Sequence, residues 1–208
     1  MLFSPDGRNP SMDEIEQAAR AIRDGNLVVY PTETVYGLGA DALDPNAIDA
    51  VFDAKRRARE KPVSLAVPDV ESALSYVRPT ERERKFMREF LPGPVTVLCE
   101  KRDVVPDVLT AGKPRVGVRI PDHERALELL EHVAPITSTS ANVSGHTSVT
   151  RVADLDTEIE DAAAIIIDGG ETGGTGSTVV NVERGEIVRR GELADEIEAW
   201  LTAETAEE

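Results

Sequence analysis

Cysteine occurs once in the 208 residues, at Cys99, and histidine three times, at His123, His132 and His146. A lone thiol excludes an intramolecular disulfide framework and any zinc or iron–sulfur site built from several cysteines. Its setting in VTVLCE (95–100) reads as buried packing. Long hydrophobic runs are missing as well: none approaches the ~20 residues that a membrane span needs, and no secretory n-region and h-region opens the chain. A soluble, cytoplasmic protein is therefore expected. Lysine is scarce, since 18 of the 23 basic residues are Arg and 5 are Lys, against 39 acidic residues and a formal net charge of −16. Such a surface predicts a halophile's cytoplasm and opposes broad non-specific nucleic-acid binding, which requires an extended basic face. An anion should meet this protein only at a local site.

The length and the 40% apolar content predict one domain around one core. Ser11-Met-Asp-Glu14 is a capping box, and Ile15, Ala18, Ala19 and Ile22 continue at helical spacing until Gly25. A strand is expected over 27–31, then a Gly- and Thr-rich loop. Asp44-Pro45 starts a second helix, and Thr80-Glu-Arg-Glu83 caps one that runs to about Leu91. Asp122 is the expected cap of a helix over 122–133, and a final helix is expected over 193–203. Further strands are expected at 63–67, 95–100, 115–121, 134–139, 164–168, 177–182 and 186–190. The alternation is α/β, and the late strands follow one another too closely for helical crossovers, which predicts a mixed sheet. No internal repeat is visible. Two stretches read as functional loops: the hydroxyl-rich 136–148 and the glycine-rich 167–178.

Several chemistries fail on their motifs. Gly112-Lys113 is followed by proline and has Asp107 where a P-loop needs glycine. GLGADA (37–42) does not complete G-x-G-x-x-G, and GGETGGTG precedes a strand where the dinucleotide motif follows one. His146 has no G-x-S-x-G elbow, H-E-x-x-H is absent, and His123 and His132 read as solvated positions on a charged helix. Metal ligands from the protein are not expected.

One cluster stands against the acidic background. Lys55, Arg56, Arg57, Arg59 and Lys61 place five cations within seven residues at the end of the second helix. Helix-dipole compensation accounts for two cations better than for five. Hydroxyls, cations and mobile glycine backbone without an evident nucleophile suit catalysis by positioning and charge neutralisation, as phosphoryl and nucleotidyl transfer permit.

PTETVYGLGADAL (31–43), Lys55-x-Arg57 with Lys61-Pro62, LPGPVTVL (91–98), VGVRIP (116–121), Ser140-Ala-Asn142 and STVVNV (177–182) together resemble the YrdC-like L-threonylcarbamoyladenylate synthases. The signatures run in the family's order and imply a catalytic domain over 12–191, with a C-terminal helix and polar tail over 192–208. The implied fold is a single-domain, twisted, mixed α/β sheet flanked by helices and enclosing a positively charged cavity. The implied reaction turns L-threonine, bicarbonate and ATP into threonylcarbamoyl-AMP and pyrophosphate. The product would pass to the tRNA threonylcarbamoyl transferase machinery, which modifies tRNAs reading codons that begin with A; any contact with tRNA itself would be weak. ATP is a substrate here, and Mg²⁺ would be held through its phosphates.

The resemblance also implies residue roles. Lys55, Arg57, Ser140 and Asn142 fall on catalytic positions; Thr34, Arg119, Ser138 and Ser177 on threonine-binding ones; Arg57, Lys61, Arg115, Ser140, Ser148 and Arg189 on ATP-binding ones. Tyr36 is a candidate for the cavity wall. Arg56 and Arg59 would only shape the field. Ala66 stands where some relatives have His, Arg190 where many have proline, and a short form without the extra C-terminal domain of longer relatives is expected. The rivals are a family paralogue acting on another carbamoyl or adenylate substrate and a non-catalytic module binding structured RNA. A hydrogenase-maturation carbamoyltransferase is disfavoured, because its zinc-binding cysteines are missing.

Overall fold

The structure is a computed structural model that describes residues 14–205. Ser11, Met12 and Asp13 of the expected capping box, and the tail beyond Thr205, lie outside the described residues. Helix α1 (Glu14–Arg23) buries Ile15, Ala18, Ala19 and Ile22, the apolar stripe of the sequence, and ends at Gly25, whose φ of +83° reverses the chain. Strand β1 (Leu27–Tyr30) is buried throughout and turns back into β2 (Gly37–Gly39). Helix α2 (Pro45–Ala54) starts where the sequence indicates: Asp44 caps it through the Asn46 amide and Pro45 occupies its first turn.

The middle of the chain supplies β3 (Ser64–Ala66), a short α3 (Val70–Ala73), β4 (Val77–Arg78), α4 (Glu81–Phe90), β5 (Val95–Lys101), α5 (Asp107–Thr110) and β6 (Arg115–Arg119). Both halves of the Thr80–Glu83 capping box are formed. Then follow α6 (Glu124–His132), β7 (Ile136–Ser138), α7 (Thr157–Ala162), β8 (Ala163–Ile166), β9 (Thr178–Asn181), β10 (Glu186–Arg189) and α8 (Ala194–Thr205). Asp122 is not the cap of α6; that position falls on His123, whose side chain makes no capping bond. The short elements β2, β4, α3, α5 and α7 carry too few residues for a periodic signal, and the sequence does not announce them.

The strands form a three-stranded sheet, β2-β1-β8, and a larger one ordered β10-β9-β5-β6-β3-β7 with β4 on β5. Parallel pairs (β1·β8, β3·β6, β5·β9) alternate with antiparallel ones (β1·β2, β5·β6, β3·β7), so the sheet is mixed as expected. The two sheets meet where the β2 region pairs with the segment around β7: Leu38 N donates to Thr139 O at 2.8 Å and Thr137 N to Ala40 O at 2.8 Å.

The larger sheet has two unlike faces. In β5, Val95, Val97 and Cys99 point into the main core with Val116 and Val118 of β6, backed by α4 and α8. There Phe86 stacks on Phe90 at 4.5 Å and meets Trp200 edge-on at 5.0 Å. With a side-chain period of two, Thr96, Leu98, Arg115, Gly117 and Arg119 must face the other way. That second face carries the candidate site.

Candidate active site

The second face floors a cavity of about 680 Å³. Register decides what meets there: Thr96 lies opposite Arg119 in β6, Leu98 opposite Gly117, and Ser64 opposite Ser138. Gly117 keeps the floor open, since a Cβ there would come within 2.8 Å of Thr96 Cγ2 and closer still to Ser64 Oγ. The walls come from the turn after β1, the α2–β3 connection, the loop after β7 and the β9–β10 hairpin. Of the residues singled out in the sequence, Thr34, Tyr36, Arg57, Lys61, Arg115, Arg119, Ser138, Ser140, Ser148, Ser177 and Arg189 line this one cavity.

One end is a hydroxyl cluster around a buried guanidinium. Arg119, 4% exposed, donates from Nη2 to Thr34 Oγ1 at 3.1 Å and to Glu33 Oε1 at 2.8 Å. Thr32 Oγ1 lies 2.9 Å from Thr34 Oγ1 and donates to Val35 O at 2.6 Å, which fixes the turn. Ser177 Oγ lies 3.0 Å from Thr96 Oγ1 and accepts from Arg189 Nη2 at 2.8 Å. Tyr30 adds a buried hydroxyl whose pKa burial pushes up to about 12, against the opposing pull of Arg119, so it stays protonated.

The other end is cationic. Arg57 donates to the carbonyls of Lys61 (3.0 Å) and Pro62 (2.9 Å). Burial lowers its pKa, and the nearby Arg189 lowers it further; Arg189 is likewise lowered by burial and then by Arg119. Guanidinium groups remain charged despite such shifts, so three like charges are held close together in this space. Among the described residues Arg57, Lys61 and Arg189 have no carboxylate partner. Arg115 differs, because Glu83, Glu183 and the Leu98 carbonyl all accept from its guanidinium.

Lys55 and Asn142 do not line the cavity. Lys55, 1% exposed, donates its ammonium to the carbonyls of Ser140 and Asn142, the latter at 2.7 Å. Asn142 Nδ2 donates to Val143 O at 2.8 Å and His146 O at 2.9 Å. Together they brace the loop that carries Ser140. Burial, then the neighbouring Arg57, lowers the Lys55 pKa to about 8. The rest of the cation cluster divides by direction. Arg59 bonds Asp49 and, at 2.7 Å, Asp53, while Arg56 pairs with Glu158 at 2.8 Å.

Tyr36 is a wall residue with a second task. Its hydroxyl accepts from Gly169 N at 3.0 Å and donates to Gly170 O at 2.7 Å, with Asp168 Oδ1 at 3.1 Å, which moors the glycine-rich loop. Sequence reasoning missed Tyr30, Thr32, Ser64 and Thr96 as cavity residues, along with Lys113 and Arg184 at its edge. Thr96 did leave a signal, a hydroxyl at the alternate position of an apolar strand. His123 corrects an expectation: it is half-buried rather than solvated, its Nδ1 has no hydrogen-bond partner among the described residues, and burial lowers its pKa.

Known proteins resemble this chain in sequence and in fold. The family Sua5_yciO_yrdC, described as "Telomere recombination", matches residues 20–191. Threonylcarbamoyl-AMP synthase of Pyrococcus abyssi is 42% identical over 172 residues, covering 81% of this chain and 51% of the relative. Threonylcarbamoyl-AMP synthase of Bacillus subtilis is 37% identical over 172 residues, covering 81% and 50%. The chain thus spans about half the length of these curated relatives. Among solved structures, P. abyssi Sua5 complexed with L-threonine superposes with a TM-score of 0.84 at 40% identity, covering 90% of this chain and 58% of that one.

Proposed function

The chain belongs to the Sua5–YciO–YrdC family, and on that premise we propose that it makes threonylcarbamoyl-AMP and pyrophosphate from L-threonine, bicarbonate and ATP. One observation carries the reading. Residues given threonine roles (Thr34, Arg119, Ser138, Ser177) and residues given nucleotide roles (Arg57, Lys61, Ser140, Ser148, Arg189) line a single cavity. The likeness to a relative crystallised with L-threonine supports threonine as a substrate.

In this reading Arg119 receives the amino-acid carboxylate as a planar fork, with Thr34, Ser138 and Ser177 around the substrate. Arg57, Lys61 and Arg189 hold the phosphates. Attack of a carboxylate oxygen on the α-phosphorus brings two anions together, and cations without acid partners offset that repulsion. Arg115 stands at the nucleotide end with its charge already met by Glu83 and Glu183, so it contributes shape more than net charge. Lys55 and Asn142 act by bracing the Ser140 loop.

The order follows from the amine. Threonine's ammonium must lose a proton before it can attack bicarbonate, and a desolvated site beside cations lowers its pKa. Carbamate formation therefore comes first, and the carbamate oxygen then displaces pyrophosphate from ATP. A competent threonyl-adenylate trapped without bicarbonate would overturn that order. Among the described residues no group of three or more His, Cys, Asp or Glu is placed to hold a metal ion; Mg²⁺ would take its ligands from phosphate oxygens and neutralise charge on the nucleotide.

The catalytic domain proposed is 12–191, with 192–208 as an appended helix and tail. The product would feed a transferase that modifies tRNAs reading codons that begin with A. No helix among the described residues is long and apolar enough to cross a membrane, and a cytoplasmic site of action suits an ATP-consuming supplier of tRNA modification. The test is pyrophosphate release by the purified protein in high KCl, with threonine and bicarbonate omitted in turn and serine as competitor. Dependence on both, with threonine preferred, is the expected result; folded protein that stays silent would sink the reading.

A further inference from the structure

Bicarbonate supplies the carbon that links threonine's amine to the phosphate, so its place must lie between the two ends of the cavity. Strand register shows what stands there. Arg189 of β10 lies opposite Val179 of β9, Val179 pairs with Thr96 of β5, and Thr96 lies opposite Arg119 of β6. One row across four strands thus runs from a nucleotide-side arginine to a threonine-side arginine, with Thr96 between them. Thr96 is 4% exposed, lines the cavity and belongs to neither substrate set. Gly117 leaves room beside it, since a Cβ there would come within 2.8 Å of Thr96 Cγ2.

The bonds around Thr96 form a chain of donors. Arg189 Nη2 donates to Ser177 Oγ at 2.8 Å, and Ser177 Oγ lies 3.0 Å from Thr96 Oγ1. Run from Arg189 to Ser177 to Thr96, the chain lets each hydroxyl accept once and donate once, and its cationic first donor strengthens the bonds that follow. The Thr96 hydrogen is then left for the cavity. Cations flank it on both sides. The described side-chain bonds of Arg189 use Nε and Nη2, which leaves Nη1; those of Arg119, to Glu33 and Thr34, use Nη2 alone. Burial and then Arg119 lower the Arg189 pKa, so the two guanidinium groups share this space. A hydroxyl donor between two such groups suits a small oxyanion.

We propose that Thr96 holds bicarbonate, donating its hydroxyl hydrogen to one oxygen while Arg189 offsets the charge and Arg119 grips threonine alongside. The inference rests on the threonine and ATP reading of the cavity. The step balances as follows. Threonine's ammonium releases one proton to water, the amine nitrogen bonds to the bicarbonate carbon, and the hydroxyl on that carbon leaves with a second amine proton as water. The carbamate anion keeps two bicarbonate oxygens, one on Thr96 and one free to attack the α-phosphorus. As that P–O bond forms, the bond to pyrophosphate breaks.

The test measures pyrophosphate release in CO₂-free buffer with bicarbonate, threonine and ATP varied one at a time, for the wild type, Thr96→Val and Thr96→Ser. Valine keeps the shape and loses the hydroxyl; Thr96→Ala, which loses it without crowding Ser177, reads the same quantities should valine disturb the fold. Calorimetric binding of L-threonine without bicarbonate is measured beside them. Thr96→Val should raise the bicarbonate requirement roughly tenfold or more, as a lost hydrogen bond to an anion implies, and change threonine affinity and the KM for ATP by less than about twofold. Thr96→Ser should recover most of the loss. Equal weakening of threonine and bicarbonate would reduce Thr96 to a prop for Ser177. A rise confined to the KM for ATP would place a phosphate on it, and unchanged kinetics would leave it no contact with substrate; each of these outcomes overturns the inference. A wild type that releases no pyrophosphate with all three substrates present would instead remove the reading on which it rests.

Discussion

Arg57 and Arg59 are two residues apart and live under opposite electrostatics. Arg59 turns outward, bonds two aspartates of α2 and lies over the Phe52 ring at 5.1 Å. Arg57 turns inward, meets only backbone carbonyls, and feels Arg189 as a like charge. Outside the cavity Arg56 and Arg190 are matched with Glu158 and Glu198, whereas in its wall Arg57, Lys61 and Arg189 have no carboxylate partner among the described residues. In a chain with 39 acidic residues, carboxylates do reach the site, Glu33 at Arg119 and Glu83 and Glu183 at Arg115, but they are withheld from these three cations.

The sharpest way to break the contrast is to remove an unmatched cation. Arg57→Ala should lower kcat/KM for ATP by roughly 100-fold, the scale on which a preorganised charge contact acts, with threonine affinity little changed. Arg119→Ala should act on the other substrate and raise the threonine requirement by roughly ten- to a hundredfold. Steady-state kinetics with each substrate varied separate the two, and identical profiles would dissolve the division of the cavity. Gly117→Ala leaves the charges alone and fills the floor. Ser64 and Thr96 would have to give way, so a loss of about 1–3 kcal/mol in urea unfolding and a weaker threonine interaction are expected.

Lys55 tests the inward side by pH. Its folded pKa of about 8 lies below the ordinary value of 10.5, so between those values the unfolded chain binds more protons. Stability should therefore rise with pH across that window, and the cost of the buried charge is fully present below it. A neutral amine still has two N–H groups for the Ser140 and Asn142 carbonyls. Urea midpoints measured from pH 8 to 10 should climb for the wild type relative to Lys55→Met, and parallel curves would contradict the assignment. The smallest effect belongs to the outward side: Arg59→Ala should change stability by less than about 1 kcal/mol and leave turnover unaltered.

What was legible in the sequence was local. Asp44 with Pro45, and Thr80 with Glu83, announce their helices because a cap and its partner lie within three residues of each other. Most residues that the family motifs indicate line one cavity, while Lys55 and Asn142, given catalytic positions, lie outside it. The rest depended on distant pairs. Lys55 holds carbonyls 85 and 87 positions away, and Arg115 meets Glu83 across 32, so no window of sequence shows that one braces a loop and the other is neutralised. The bond between Arg119 and Glu33 went unseen for the same reason, since it spans 86 positions.

The withheld acids also bear on the traffic of nucleotide toward the protein. At low ionic strength an anion approaching a molecule of charge −16 meets net repulsion over some 30 Å before it can sense Arg57, Lys61 and Arg189. Near 1 M salt the screening length shrinks to roughly 3 Å, and only charges at contact are felt. Association of ATP should thus quicken as salt is added, the reverse of the trend for a basic nucleotide-binding surface, and the bimolecular rate becomes a property of the medium as much as of the fold.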